Sequence, residues 1–517
     1  MTTSSEATTI PNQAERFGTW GAALLAVLAL AWLQFSFADL FDLDSYFHAR
    51  AGLELLETGV QTTFPQATFS TWADSYSDKD FLFHLLIAPL VSNPDLLPGA
   101  KWAVILLDLA LMLAMAFAVR SLGLRFGAVW VLLLIAASPY YVTRMVPLRP
   151  QILGLAFLTI ELALLVRGRW KTLFPVSFLH VLTHSSFPLA LGLWGMWFVV
   201  AAIRRDPLPL RTGGAILAGL ALALLVHPYF PNNLQIAYAQ ILQLAGHLWG
   251  TASEIPKNAF GNELRPMATR TFWLTAPAWL PALLGLAATL VHRGLRSWPA
   301  RDLFLLLATL AFLALAFAAR RFVDIFILSA ALLAGGLWTT LAGGKTLRTL
   351  LSNSPLGAGT AITAILACLL SGLGLVWTDL PERFAKQAYG GIYKPAVEQL
   401  DTLAAPGDVV YHPSWQEFSI LYGFRPDGRY ISGLDPVYLY EKNPQLFRKN
   451  WQLSRGRGKA AYRILTSGFG ARWAFIPKRK RYAKLQVRLA KNPNIQLVWH
   501  DDAASLWFIP SPGRPGS

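Results

Sequence analysis

Eleven apolar runs, most of them separated by short loops rich in arginine and lysine, constrain this chain more than any other feature. They are centred near Leu28, Leu111, Leu134, Phe157, Val176, Leu193, Leu220, Leu283, Leu310, Leu332 and Leu366. A helix needs about 20 mostly apolar residues, within about 17–25, to cross the hydrocarbon of a bilayer. Backbone amides cannot be left unpaired in lipid, so runs of this kind become spanning helices. Composition agrees: 54% of residues are hydrophobic and 14% charged, where soluble domains carry about 25% charge. The expected fold is a polytopic α-helical membrane protein of about eleven transmembrane helices, the runs at Val176 and Leu193 being the shortest. A net charge of +16 would suggest nucleic acid in a soluble chain. Here many of the bases sit in short loops, where they report orientation, and no nucleic-acid partner is expected.

Alternate short loops hold Arg120 and Arg125; Arg167, Arg169 and Lys171; Arg204, Arg205 and Arg211; Arg293, Arg296 and Arg301; Lys345 and Arg348. Placing these in the cytoplasm obeys the positive-inside rule. Residues 1–17, polar and without apolar periodicity, become a disordered cytoplasmic N-terminus. The run that follows is too long for a signal-peptide core and is read as a retained anchor. Residues 18–378 form the membrane domain, with a large first external loop at 38–101. An odd number of spans leaves residues 379–517 outside. There GDVVYHP, YGFRPDGRYISGLD, ARWAFIPK, NIQLVWH and SLWFIP read as strands, alternating with helical YKPAVEQLDTLA, WQEFSILYG and KLQVRLAKN. That alternation predicts a small extracytoplasmic α/β domain. The single Cys368 permits no intrachain disulfide.

The chain has only 29 acidic residues. Asp39, Asp42, Asp44, Glu54, Glu57, Asp74, Asp78 and Asp80 all fall in the first external loop, at the lip of a membrane where a carboxylate is costly unless solvated or in use. Read alone, Asp44-Ser45-Tyr46-Phe47-His48-Ala49-Arg50 is the acid-capped start of an amphipathic helix. The pattern Asp-x-aromatic-aromatic-His-x-Arg, then Glu-x-Gly, then an apolar run ending in Ala-Pro, resembles the first external loop of the oligosaccharyltransferase catalytic subunit. That subunit belongs to the GT-C membrane glycosyltransferases, which use lipid-linked sugar donors. The resemblance implies a GT-C-like fold and places Asp44 in the active site, where it helps hold a divalent metal; its expected role is that metal ligand or general base on the acceptor, with Asp42 beside it and Asp80 and His48 as supporting groups.

Four external arginines break the charge pattern: Arg144 and Arg149 in TRMVPLRPQ, Arg320 and Arg321 in AARRFVDIF. Snorkelling to headgroups would explain single arginines. Two pairs on the side opposite the other bases instead suit the oxygens of a phosphate. By resemblance, Arg321 before Phe322 is the donor-pyrophosphate contact, and Asp324, one turn on, is expected to orient Arg320 or Arg321. Thr251-Ala252-Ser253-Glu254 is similar to the family motif whose Glu approaches metal and acceptor, although Thr-x-x-Glu is also an ordinary helix cap.

Two departures from the family matter. The loop SPYYVTRMVPLRPQ has no acid where the family has an acidic pair, and Arg149 stands near that place. A divalent cation, Mg2+ or Mn2+, wants several oxygen ligands; Asp44 and Glu254 supply some, and a guanidinium carrying the cation's charge in a metal-independent site is the alternative. The Trp-Trp-Asp-Tyr-Gly signature that reads an asparagine acceptor is missing, so the acceptor stays open. His180 and His184 are read as satisfied interfacial histidines, and Asp108 and Glu161 as interior groups. The expected activity is transfer of a sugar or oligosaccharide from a polyprenyl phosphate or pyrophosphate to an acceptor on the external face of a bacterial inner membrane. The partners are that donor and membrane lipid. The alternatives are a lipid-linked substrate transporter or flippase and a non-catalytic membrane scaffold. No glycine-rich loop supports a soluble nucleotide-sugar donor.

Overall fold

A computed structural model of the chain describes residues 13–93, 95–249, 255–256, 259–293, 298–343, 355–378, 380–387, 391–457 and 460–511. Each apolar run is helical. In chain order the helices are α1 (Gln13–Phe35), α2 (Asp44–Thr58), α3 (Phe81–Ile87), α4 (Leu96–Ser121), α5 (Gly127–Ala136), α6 (Pro139–Met145), α7 (Gln151–Val166) and α8 (Trp170–Thr183). Then come α9 (Pro188–Arg204), α10 (Leu210–Leu225), α11 (Asn232–Trp249), α12 (Thr269–Leu274), α13 (Ala276–Arg293), α14 (Ala300–Ala318), α15 (Val323–Ala342) and α16 (Pro355–Trp377). Among the described residues five stretches are long and apolar enough to cross a membrane: α1, α4, α14, Arg320–Ala342 ending in α15, and Ile362–Phe384 beginning in α16. α5 and α6 together would make a sixth, bent by 89°, while α7, α9, α10 and α13 are apolar but shorter.

The bend has a local cause. Pro139 restricts the residue before it and has no amide to give to a helix running through. Ser138 takes extended backbone and caps α6 instead, its Oγ accepting from the Tyr140 amide at 3.0 Å. α6 therefore sets off at a new angle and carries Arg144 with it.

The strand pattern after residue 379 is realised as a five-stranded mixed sheet of β1 (Val409–Tyr411), β2 (Arg429–Tyr430), β3 (Ala471–Pro477), β4 (Gln496–His500) and β5 (Ala504–Phe508), in the order β2-β1-β3-β5-β4. β1 runs parallel to both neighbours, and β5 antiparallel to β3 and β4. The helix at Ala483–Ala490 closes one face, with Leu485 and Leu489, four apart on one stripe, fully buried.

The first external loop is built into this sheet. Tyr430 of β2 donates its amide to Gln66 O at 2.7 Å and accepts from Thr68 N at 2.9 Å, so the loop pairs with the sheet edge. The helix at Gln416–Phe424 lies against α2 closely enough that a Cβ on Gly423 would meet Tyr46 Cβ at 2.8 Å. Around that crossing Phe47, Phe64, Phe418 and Tyr422 pack together, with Phe418 and Tyr422 stacked at 5.5 Å. One hydrophobic core thus runs from the membrane helices through the loop into the C-terminal region.

Candidate active site

The start of α2, the turn between α6 and α7, the turn before α15 and the 259–264 segment surround a cavity of about 440 Å³. Asp44, His48, Lys79, Asp80, Arg144, Arg149, His184, Glu263, Arg321, Asp324 and Asp435 all contribute to its wall.

Arg149 is the hub. Its Nη2 is 2.7 Å from Asp44 Oδ2, its Nε donates to Asp42 Oδ2 at 2.6 Å, and its Nη1 lies 3.4 Å from Glu263 Oε2. The two acids of the loop motif divide the work. Asp42, not Asp44, satisfies the open end of α2: its Oδ1 accepts from the Ser45 amide at 3.0 Å and from the Ser45 hydroxyl. That hydroxyl oxygen also accepts from the Leu148 amide at 3.0 Å, tying the Arg149 turn to α2. Asp44 is left to the cavity, where Ser419 Oγ donates to its Oδ1 at 3.1 Å. Burial pushes the Asp44 carboxyl up; Arg149 pulls it back, while Asp42 and Glu263 add to the rise. Glu263 goes the other way. Burial would raise it, but Arg321, Arg149, Arg144 and Lys79 more than offset that and hold it at about 2.

The other expected arginines separate. Arg144 forms an ion pair with Asp324 and donates to Gln151 Oε1 at 2.9 Å. Asp324 therefore orients Arg144 and not Arg320 or Arg321, because the α5–α6 bend, invisible as linear spacing, brings Arg144 across. Arg321 lines the cavity and forms no ion pair among the described residues. Arg320 is not on the cavity wall: its guanidinium lies 5.5 Å from the Tyr140 ring and its Nε is buried without a hydrogen-bond partner. Asp80 reaches the cavity with Lys79 3.4 Å away. It is 2% exposed, a buried group of the wall and not a solvated one.

His48 faces the cavity from one turn beyond Asp44, and its Nδ1 is 2.9 Å from His84 Nε2. His180, read from the sequence as an interfacial histidine, is fully buried and satisfied by Glu161 at 3.0 Å and Ser186 at 2.9 Å. His184, 2.8 Å from Ser186 Oγ, does reach the cavity. Glu254 and the rest of its motif lie outside the described residues. Glu263, Lys79, Ser419 and Asp435, the last raised to about 6 by burial, were not singled out as site residues from the sequence. Glu263 alone had a signal there, as the next carboxylate after Glu254 in the external loop.

Among the described residues the acids nearest Asp44 are drawn to a cation of the chain itself. The carboxylates of Asp42, Asp44 and Glu263 turn their oxygens on one guanidinium, and among the described residues no three His, Cys, Asp or Glu side chains group as a metal site. What remains open to a ligand is a polar hollow with Arg321 and Lys79 on its wall and an apolar flank of Leu155, Leu158, Val181 and Leu189 from α7, α8 and α9. That combination fits an anionic head with a hydrocarbon tail.

No protein-family model matches the chain, and no curated protein matches it. Its fold is similar to solved membrane glycosyltransferases. An oligosaccharyltransferase from Archaeoglobus fulgidus, in the apo form, superposes with a TM-score of 0.61 at 12% identity over 92% of this chain and 72% of that one. AglB of the same organism, in complex with an inhibitory peptide and a dolichol-phosphate, gives 0.59 at 11% identity over 90% and 70%. ArnT from Cupriavidus metallidurans, bound to undecaprenyl phosphate, gives 0.55 at 13% identity over 94% and 97%. The chain has the GT-C fold expected from its first loop and is a multi-pass membrane protein.

Proposed function

We propose that this protein is a glycosyltransferase that moves a sugar or oligosaccharide from a polyprenyl phosphate or pyrophosphate to an acceptor on the external face of a bacterial inner membrane. The observation that carries the reading is Arg149, clasped by Asp42, Asp44 and Glu263 beside Arg321 and Lys79, in a cavity with an apolar flank. Two of the similar structures hold a polyprenyl-type phosphate, which supports a donor of that class.

The chemistry follows from where the charges sit. Breaking the bond between sugar and phosphate oxygen places negative charge on the leaving phosphate and positive charge on the anomeric carbon. Arg321 and Lys79 take the phosphate charge, and Arg149, held rigid by three partners, backs them without having to reorganise. Asp44, with its two oxygens engaged by Arg149 and Ser419, stays in one orientation, and its negative charge stabilises the oxocarbenium character of the sugar. Arg144, locked to Asp324, shapes the wall. Arg149 occupies the place where a divalent cation would stand among these carboxylates, so the proposed site works without one.

The test is transfer of radiolabelled sugar from a polyprenyl-linked donor pool by purified protein, with and without EDTA. Wild type transfers label equally in both conditions, and Asp44→Asn slows transfer by about 10²–10³-fold, the loss typical of one preorganised charge. Asp44→Asn working at the wild-type rate, or a wild type that binds no lipid-linked donor, overturns the proposal. Abolition by EDTA overturns its metal-independent part.

A further inference from the structure

Transfer to a hydroxyl or amine leaves a proton to be removed, and Asp44 is badly placed to remove it. Its Oδ2 accepts from Arg149 at 2.7 Å and its Oδ1 from Ser419 at 3.1 Å, so both oxygens already hold donors. Burial raises its carboxyl, yet any proton it took would have to share these oxygens with Arg149 and Ser419.

His48 lies one turn further along α2 on the same cavity wall. Behind it runs a buried chain: His48 Nδ1 is 2.9 Å from His84 Nε2, and His84 Nδ1 is 2.6 Å from Asp78 Oδ2. Asp78 Oδ1 in turn accepts from the Asp80 amide at 3.0 Å, which fixes the carboxylate. His48, His84 and Asp78 are 7%, 1% and 6% exposed.

The order of the chain assigns the protons. A carboxylate can only accept, so His84 Nδ1 carries hydrogen. With Nε2 of His84 left to accept, His48 fills it with its own Nδ1–H. The remaining nitrogen of His48, Nε2, keeps a free lone pair.

We propose that His48 is the general base of the transfer, with His84 and Asp78 as positioning residues that fix its tautomer and spread the charge it acquires. The proposal rests on the glycosyl-transfer reading. As the acceptor oxygen or nitrogen bonds to the anomeric carbon, its proton passes to His48 Nε2. The bond from that carbon to the donor phosphate breaks, and its electron pair leaves on the phosphate. The imidazolium so formed is held by hydrogen bonds through His84 to Asp78, and returns its proton to water when product leaves.

Titratable groups act on His48 from the packed elements: Lys79 and His84 from the segment around α3, Arg149 before α7 and His184 after α8; Asp44, on its own helix, and Asp80 line the same cavity. Burial, then the neighbouring His84, Arg149, Lys79 and His184, hold the imidazole well below its ordinary value, which keeps it neutral and able to accept.

The test compares full-length wild type, His48→Gln and Asp78→Asn in liposomes, for kcat from about pH 3 to 9 and, separately, for donor binding. His48→Gln lowers kcat by about 10²–10⁴-fold, the usual worth of a general base, and leaves donor binding unchanged. Asp78→Asn lowers kcat less and moves the acid limb of the pH profile to lower pH, because the imidazolium has lost its carboxylate. A histidine pair that only packs would leave that limb where it was. Wild-type kcat in His48→Gln overturns the proposal and leaves the transferase reading intact. If wild type itself transfers nothing, the transferase reading fails, and the tautomer is read chemically with diethyl pyrocarbonate, which acylates unprotonated imidazole nitrogen. Modification mapped to His48 at neutral pH, and not to His84, supports the free lone pair; an unmodified His48 overturns it.

Discussion

At the scale of single residues the site is a balance between one guanidinium and more carboxylates than it can neutralise. Asp42 and Asp44 are two apart in sequence, yet one serves the helix end and the other the cavity. The loop motif located both, but only the contacts divide their roles. Glu263 shows the limit of linear reading: the motif around Glu254 drew attention nine residues upstream, while the carboxylate that reaches Arg149 lies in a short turn, Asn262–Leu264, without a helical or strand pattern. Its ionisation makes a prediction. Its carboxyl is lowered from 4.5 to about 2 in the folded protein. A depressed carboxyl contributes stability that is full above the unfolded value and is lost as pH falls through the folded one. Thermal unfolding midpoints should therefore fall more steeply between pH 4.5 and 2 in wild type than in Glu263→Gln. Equal slopes would mean that Glu263 is not held by Arg321, Arg149 and Arg144.

At the scale of elements, two joints decide the geometry. The Ser138–Pro139 break was readable as a helix stop, but not the 89° it produces, because that angle is set by what α6 packs against. The second joint is the crossing of α2 with the helix Gln416–Phe424, residues about 370 apart in sequence. Helical spacing showed each helix to be amphipathic, and neither sequence names its partner. Phe418 is fully buried there, between Phe47, Phe64 and Tyr422. Removing a buried phenylalanine costs about 3–5 kcal/mol in lost burial and cavity formation. Phe418→Ala should thus loosen the C-terminal region from the loop, exposing it to limited proteolysis, and should also slow transfer, since Ser419 on the same helix holds Asp44. Wild-type protease resistance in that variant would show that the crossing is not what docks the region.

For the whole molecule, orientation is the property most directly testable. The positive-inside rule predicts Arg169 in the cytoplasm and the acidic first loop, with Ser92, outside. Both side chains are exposed. In a Cys368→Ala background, Ser92→Cys should react with a membrane-impermeant maleimide on intact cells, and Arg169→Cys only after permeabilisation. The reverse pattern would put the cavity on the cytoplasmic face. By itself the sequence determined that the apolar runs are helical, though not that all eleven span, along with the five strands beyond them and the acid–arginine vocabulary of the site, because these follow from local periodicity and from the cost of charge near lipid. The tertiary structure alone decided that Arg149 joins Asp42, Asp44 and Glu263, that Asp324 binds Arg144, and that His48 ends a chain from Asp78. Those pairings join segments tens to hundreds of residues apart, and which charges meet across a buried cavity depends on helix crossings and bends that no local pattern encodes.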